Sequence, residues 1–489
     1  MFLVDTRSIA SLQFIKNLFL YTMVSIEQLY QIYLQHPNIS TDTRKITTGS
    51  IFFALRGDKF DANTFAEKAI EAGAAFAVID NPAFQLNEKY LLVNDTLVAL
   101  QQLAKHHRQQ LRIPVIGLTG SNGKTTTKEL IYSVLTQQYN TLATQGNLNN
   151  HIGVPLTILK INQTHQVAVI EMGANHQKEI EFLCGIAQPT HGLITNIGKA
   201  HLEGFGGEEG VKKGKGELYD FLRKSVSLEV ESLLSEVGGQ KSINSNPTGV
   251  AFVNSDSAIL MEMEQARGLK HVVFYGSGDS GNLISGKIID NDPFLKLEWT
   301  NHISGKKSIV NTNLTGTYNL DNILAAICTG VYFKLSDDMT SAGIEVYQPK
   351  NNRSQIVQTQ SNVLICDYYN ANPSSMAVAI TNLEQMKAGK KVIILGDMFE
   401  LGDESAAEHE TIIKKTLEAN FDESIFVGKA FAQAGLTMNH GPWTMDNKPK
   451  YFQTTADAIT FFKNNPVQNS TILIKGSRGM TMERLVELF

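Results

Sequence analysis

The sequence predicts an α/β protein of three domains with mostly parallel sheets, and three observations carry that expectation. Apolar runs of strand length alternate with helical patterns along most of the chain. One of those runs, Val115 to Leu118, passes straight into a glycine-rich loop and then a helix. The 489 residues exceed what one hydrophobic core holds together, and length alone gives roughly two to four domains.

The bulk properties narrow the function. With 42% hydrophobic and 19% charged residues and only 12 prolines, collagenous and disordered classes are excluded. A net charge of -5 gives no electrostatic basis for a nucleic-acid partner, although local basic patches can still hold single phosphates. Cys184, Cys328 and Cys366 are widely separated and odd in number, so neither a disulfide framework nor a zinc site is expected, and a reducing, cytoplasmic setting is.

Along the chain, residues 1–22 contain an apolar stretch from Phe14 to Tyr21 that Lys16 and Asn17 interrupt; no membrane span is expected, and the segment reads as an extension ahead of Met23. A polar turn, the run Ile51 to Leu55, a helical pattern closing at Gly73 and the run Ala75 to Ile79 describe a small α/β domain, 23–110. The helical stretch Leu97 to Leu111 stops ahead of Pro114. The central domain, 111–348, opens with the Val115 strand and continues with runs at Val167 to Ile170 and Gly192 to Thr195, spaced by helices as a parallel sheet requires. Residues 224–247, rich in Ser and Glu and closing on Gly238, Gly239 and an Asn/Ser/Pro cluster, read as an exposed excursion. Past Asn351 the alternation restarts with Val363 to Cys366, Val392 to Leu395, Ser424 to Val427 and Thr471 to Ile474, a Rossmann-like third domain, 349–489.

Chemistry is concentrated at the first central strand. In GLTGSNGKTTTKE, 117–129, glycines stand where backbone must approach phosphate, Lys124 supplies a point charge and Thr125 a hydroxyl for magnesium. The spacing is shorter than the general phosphate loop, since Leu118 stands where the first glycine belongs, leaving Gly120, Ser121, Asn122 and Gly123 as the cradle. Glu171 closes the run VAVIEMGA at a strand's carboxyl end, a position suited to magnesium or, equally, to plain solvation. His201, in GLITNIGKAHLEGFG, sits beyond another strand; imidazole is an unusual ligand for a hard cation, and a surface or capping histidine is the bland alternative. Lys215, in KKGKGELYDF, reads as a surface lysine unless nearby cations lower its pKa, when the neutral amine can take up carbon dioxide as a carbamate and reach a second metal.

Taken together the segments resemble the Mur ligase family over nearly everything after Met23. The motifs carrying the resemblance are STDTRKITTGSIFFALRGDKFDANTFAEKAI (40–70), TGSNGKTTTKE, TQGNLNNHIGVPLTIL (144–159), EMGA, NIGKAHLEGFG, GTYNLDNILAA (316–326), DYYNANPSSM (367–376), LGDMFELGDES (395–405) and KGSRGMTME (475–483). YNANP together with GDMFELG favours the type that adds D-alanyl-D-alanine to UDP-N-acetylmuramoyl-tripeptide.

The resemblance implies a UDP-sugar domain, a central ATPase and a closing C-terminal domain, with ATP and Mg2+ required and Lys215 carbamylated. It implies that Thr41, Asp42 and Arg44 line the uridine diphosphate site and that Asn147, Asn149 and Asn150 line the muramoyl side; Asn63 stands where relatives often have histidine and is left out. Thr126 joins the phosphate loop, Asn322 resembles the adenine-contacting asparagine, and Arg353 and Asp367 resemble junction residues that engage phosphate and ribose. Cys366 replaces the aspartate that often precedes Asp367. Asp397, Glu400, Lys475 and Arg478 are expected to face nucleotide or dipeptide. The implied reaction makes an acyl phosphate of the tripeptide carboxylate and passes it to the dipeptide amine, with Lys124, Lys215, His201 and Glu171 as its central residues. A monomer without stable membrane insertion is expected. A ligase adding single amino acids, a folylpolyglutamate synthetase, or a phosphate-loop switch or kinase are the alternatives.

Overall fold

The computed structural model describes residues 23–225, 249–350, 352–437 and 448–489. The N-terminal extension 1–22 and most of the excursion expected at 224–247 lie outside these described residues; Lys224 ends up in the helix Glu208–Ser225.

Three larger sheets follow one another along the chain. The first is fully parallel, in the order Ile39–Ser40, Ile51–Phe53, Phe76–Ile79, Tyr90–Leu92. The second has nine strands, with Val115–Thr119 flanked by Val167–Glu171 and His191–Ile194, and Thr141–Ala143 at one edge. Its strands run parallel from that edge to Ile284–Asp290, after which Lys296–Asn301 and Lys307–Asn311 add antiparallel. The third has six strands, antiparallel only at Gln355–Gln358. The mixed α/β expectation therefore holds, with an antiparallel extension of the central sheet as an addition.

The reasons are local. Val115–Thr119 and Val167–Glu171 are buried at every position, as strands covered by helices on both faces must be. Lys296–Asn301 alternates half-buried and buried positions, the period of two expected of a strand covered on one side. Asp95 caps the helix Thr96–Gln110 by accepting the Val98 N–H at 2.8 Å. Buried Arg108 near that helix's end donates to Ala187 O at 2.9 Å and Gln188 O at 3.0 Å, so the N-terminal unit is bolted to the central one. One apolar core accordingly runs from Leu29 and Leu103 through Ile158 and Leu183 to Leu218. The opposite face of the central sheet packs on the helices Lys124–Leu135 and Asn319–Tyr332. All three cysteines are buried free thiols. Among the described residues no helix is long and apolar enough to cross a membrane.

Candidate active site

The carboxyl ends of the central strands converge on the loop Gly120–Gly123. Gly120 has φ +147°, and a side chain there would press its Cβ to 2.0 Å from Thr195 Oγ1. Gly123 has φ +77°, and its Cβ would come to 2.6 Å from Asn322 Oδ1. Only glycine meets both demands. The loop is laced to the segment after His191–Ile194: Thr195 Oγ1 donates to Asn122 O at 2.6 Å, the Asn122 N–H to Asn196 Oδ1 at 3.0 Å, and Ser121 Oγ to Gly198 O at 3.0 Å. A stiff turn thus ends at a helix whose first position is Lys124, with its opening N–H groups turned to the cleft, the arrangement that receives phosphate.

Lys124 is half-buried and donates to the loop's own carbonyls, Gly120 O at 2.7 Å and Ser121 O at 3.1 Å. Enclosure by the cleft walls brings its pKa down to about 8, with Glu171 opposing and Arg353 reinforcing the fall. Thr125 Oγ1 donates to Glu171 Oε2 at 3.0 Å, and Asn149 Nδ2 to Glu171 Oε1 at 2.8 Å. Glu171 is thus a buried carboxylate held by neutral donors at the cleft floor, with a threonine hydroxyl beside it. These hard oxygens fit magnesium. Among the described residues no three His, Cys, Asp or Glu side chains cluster closely enough to hold a metal alone, so the remaining ligands there have to be of other kinds.

Lys215 is fully buried, donates to Ala174 O at 2.9 Å and lies 4.8 Å from the centre of the Phe205 ring. Burial first, and the charge of Lys124 second, hold its pKa well below the usual lysine range. That is the condition under which an amine can form a carbamate. His201 takes a left-handed backbone (φ +53°) at a helix start and its Nδ1 hydrogen-bonds Glu400 of the third unit. The pairing occupies Nδ1 and leaves the expected metal role to the other ring nitrogen.

The third unit closes one wall. Lys475 Nζ donates to Asp367 Oδ2 at 2.7 Å, the Ser354 N–H to Asp367 Oδ1 at 3.3 Å, and the Arg353 guanidinium stacks 3.9 Å from the centre of the Tyr369 ring. Asn372 Nδ2 reaches Asn122 Oδ1 at 2.8 Å, and Ser374 Oγ accepts the Lys199 N–H at 3.0 Å. The resulting cleft, about 780 Å³, is lined by Ser121 to Lys124, Thr126, Glu171, His201, Asn322, Arg353, Asp367, Glu400 and Lys475, and by Asn147, Asn149 and Asn150.

Several expected residues have other occupations. Asn322 Oδ1 accepts from Thr127 Oγ1 at 2.9 Å, and Asn150 Oδ1 accepts from the Gly153 N–H at 2.9 Å. Thr41, Asp42 and Arg44 lie beside the first sheet, away from the cleft lining, with Asp42 and Arg44 paired to each other at 2.8 Å and Arg44 exposed. Asn63, for which no site role was expected, is buried and bonds Asp61 and Asp80 at 2.7 and 2.8 Å. Asp397, expected to face a ligand, instead accepts the N–H groups of Ala430 and Phe431 at 3.0 and 2.9 Å and caps a helix. Tyr369, Asn372 and Ser374 line the cleft without having been singled out; the motif DYYNANPSSM contained them but gave them no role.

Comparison with known proteins agrees with this architecture. Residues 37–108 match the pattern described as "Mur ligase family, catalytic domain", 118–230 and 241–330 the "Mur ligase middle domain", and 352–478 the "Mur ligase, glutamate ligase domain". The UDP-N-acetylmuramoyl-tripeptide–D-alanyl-D-alanine ligase of Bacillus subtilis (strain 168) is 33% identical over 456 residues, 92% of each chain. The ligase of the same name from Escherichia coli (strain K12) is 34% identical over 451 residues, again 92% of each. The crystal structure of MurF from Acinetobacter baumannii superposes with a TM-score of 0.78 at 33% identity, covering 95% of this chain and 98% of that one.

Proposed function

This chain belongs to the Mur ligase family, and from that premise we propose that it is an ATP-dependent ligase adding D-alanyl-D-alanine to UDP-N-acetylmuramoyl-tripeptide. The product is the pentapeptide precursor of peptidoglycan. The observation that carries the reading is the single cleft in which the phosphate loop, the buried carboxylate of Glu171 and the third-unit residues Arg353, Asp367 and Lys475 face one another. We divide the labour among residues 23–110 for the UDP-muramoyl group, 111–348 for ATP and 349–489 for closure, in a cytoplasmic monomer.

A carboxylate is too poor an electrophile for an amine at neutral pH. The tripeptide carboxylate therefore attacks the γ-phosphorus of ATP, forming an acyl phosphate and ADP; the dipeptide amine then adds to the acyl carbon, and the tetrahedral adduct collapses to amide and phosphate. The loop Gly120 to Gly123, with the Ser121 and Asn122 N–H groups tied to Asn196, brings the first N–H groups of the helix Lys124–Leu135, that of Thr126 among them, to the phosphates, and Lys124 exchanges its loop carbonyls for phosphate oxygens, fixing them for in-line transfer. Thr125 and Glu171 would hold one magnesium, and His201 with Lys215, once carbamylated, would hold a second; bound there, the ions would neutralise the phosphates and let two anions approach. Glu400, on Nδ1 of His201, would orient the ring so that Nε2 could serve the second site. Asn322 faces the adenine, Arg353 and Asp367 the phosphate and ribose, Asn147, Asn149 and Asn150 the muramoyl peptide, and Thr41, Asp42 and Arg44 the uridine diphosphate.

The test is a matrix of UDP-muramoyl peptides against D-Ala-D-Ala and single amino acids, read by product mass. Tripeptide plus dipeptide should give the pentapeptide with one phosphate released per bond. Phosphate release independent of acceptor would instead support a nucleotide-driven switch.

A further inference from the structure

Lys128 takes no part in the reaction just described, yet its side chain is completely buried. It lies one turn beyond Thr125 on the helix Lys124–Leu135, so the two side chains leave neighbouring positions on that helix. Its Nζ donates to Thr144 O at 2.6 Å and pairs with Glu129 Oε1 at 2.7 Å. Burying an ammonium is far more costly than burying a leucine, and a helix that needed only to pack there would carry an apolar residue.

The peptide that Lys128 grips is a root. Thr144 directly follows the edge strand Thr141–Ala143; its N–H donates to Val169 O at 3.0 Å, and its Oγ1 accepts the N–H of Glu171 at 3.0 Å. From Thr144 the chain leaves the sheet toward Asn149, whose amide donates to Glu171 Oε1 at 2.8 Å. The backbone support of Glu171 and one of its side-chain supports therefore both start at the carbonyl held by Lys128.

We infer that Lys128 is a positioning residue for the Glu171 carboxylate, acting through Thr144, and that it ties this carboxylate to the asparagine segment on the muramoyl side of the cleft. The inference rests on the assignment of Glu171 to magnesium made above. Without Lys128 the Thr144 carbonyl is left buried and unpaired, and the Glu171 N–H contact and Asn149 shift together. Groups that orient a metal ligand from behind are worth about ten- to a hundredfold in metal affinity or activity.

Calorimetric binding of ADP, with and without magnesium, tests this without turnover. The native chain should bind ADP more tightly with magnesium. Lys128→Met and Thr144→Val should each lose about tenfold of that magnesium-dependent gain, with binding in the absence of magnesium unchanged, whereas Thr144→Ser, which keeps the hydroxyl, retains it. Thr144→Val decides the matter where Lys128→Met does not fold. An undiminished gain in folded Lys128→Met or in Thr144→Val overturns the inference, whatever happens to the melting temperature. No gain in the native chain defeats the assignment of Glu171 itself, a separate outcome visible before any variant is made.

Discussion

Binding of ADP above pH 8 should take up a proton, and Lys124 is the group that accepts it. In the free protein burial lowers its pKa from the ordinary 10.5 to about 8. Phosphate oxygens supply the anionic partner that restores the usual value. The direction follows from linkage: below pH 8 lysine is charged with or without nucleotide, whereas between 8 and 10.5 the complex holds more protons than the free protein, so affinity falls as pH rises. Full restoration corresponds to about 3 kcal/mol, an upper bound because the cleft is open on one side. At pH 9 roughly one molecule in ten of the free protein carries the proton, so binding should be about tenfold weaker than at pH 7. Calorimetry at both pH values in buffers of different ionisation enthalpy reads the affinity and the proton count together. Lys124→Met should abolish the extra uptake at pH 9. Equal uptake at pH 7 and 9, or the same uptake in Lys124→Met, refutes the reasoning.

Lys215→Ala should lose turnover and regain part of it with added short carboxylic acids, which replace the carbamate; full activity without them would make Lys215 structural only. Gly123→Ala combines a strained φ of +77° with a Cβ 2.6 Å from Asn322 Oδ1, so ADP affinity should fall about tenfold or more, the φ alone costing about 1–2 kcal/mol; unchanged ADP binding contradicts the close approach. Arg108→Met strips three backbone carbonyls, Ala187, Gln188 and Leu111, of their donor and should lower stability by about 3 kcal/mol or more. Denaturant unfolding checks it, and an unchanged midpoint would show that the N-terminal unit is not held there.

Much of the scaffold was legible because its signals are short-range. The Val115 run, the glycines after it and Pro114 before it announce a strand, a turn and a helix within twenty residues, and the structure has Val115–Thr119 followed by Lys124–Leu135. Burial on both faces made several of the parallel strands readable as unbroken apolar runs, although Val250–Asn254, equally buried and parallel, went unread just past the Ser- and Glu-rich excursion. The antiparallel strands Lys296–Asn301 and Lys307–Asn311 escaped notice because three of six positions in the first and only Val310 in the second are buried, so their apolar runs are not continuous. Asp397 was misjudged for a different reason: its partners Ala430 and Phe431 lie more than thirty residues on, and no local pattern announces a cap supplied across a sheet. Lys128 was overlooked although TTTKE put it in view; a lysine in a charged string gives no sign that it will be entirely enclosed.

Gly120 and Gly123 have neighbours so near that neither position accommodates even a methyl group. Most surfaces that an inhibitor touches can be reshaped by exchanging one side chain, and resistance arises that way. An inhibitor resting on these two residues meets bare main chain, whose outline point mutation cannot redraw without also spoiling the seat of the triphosphate.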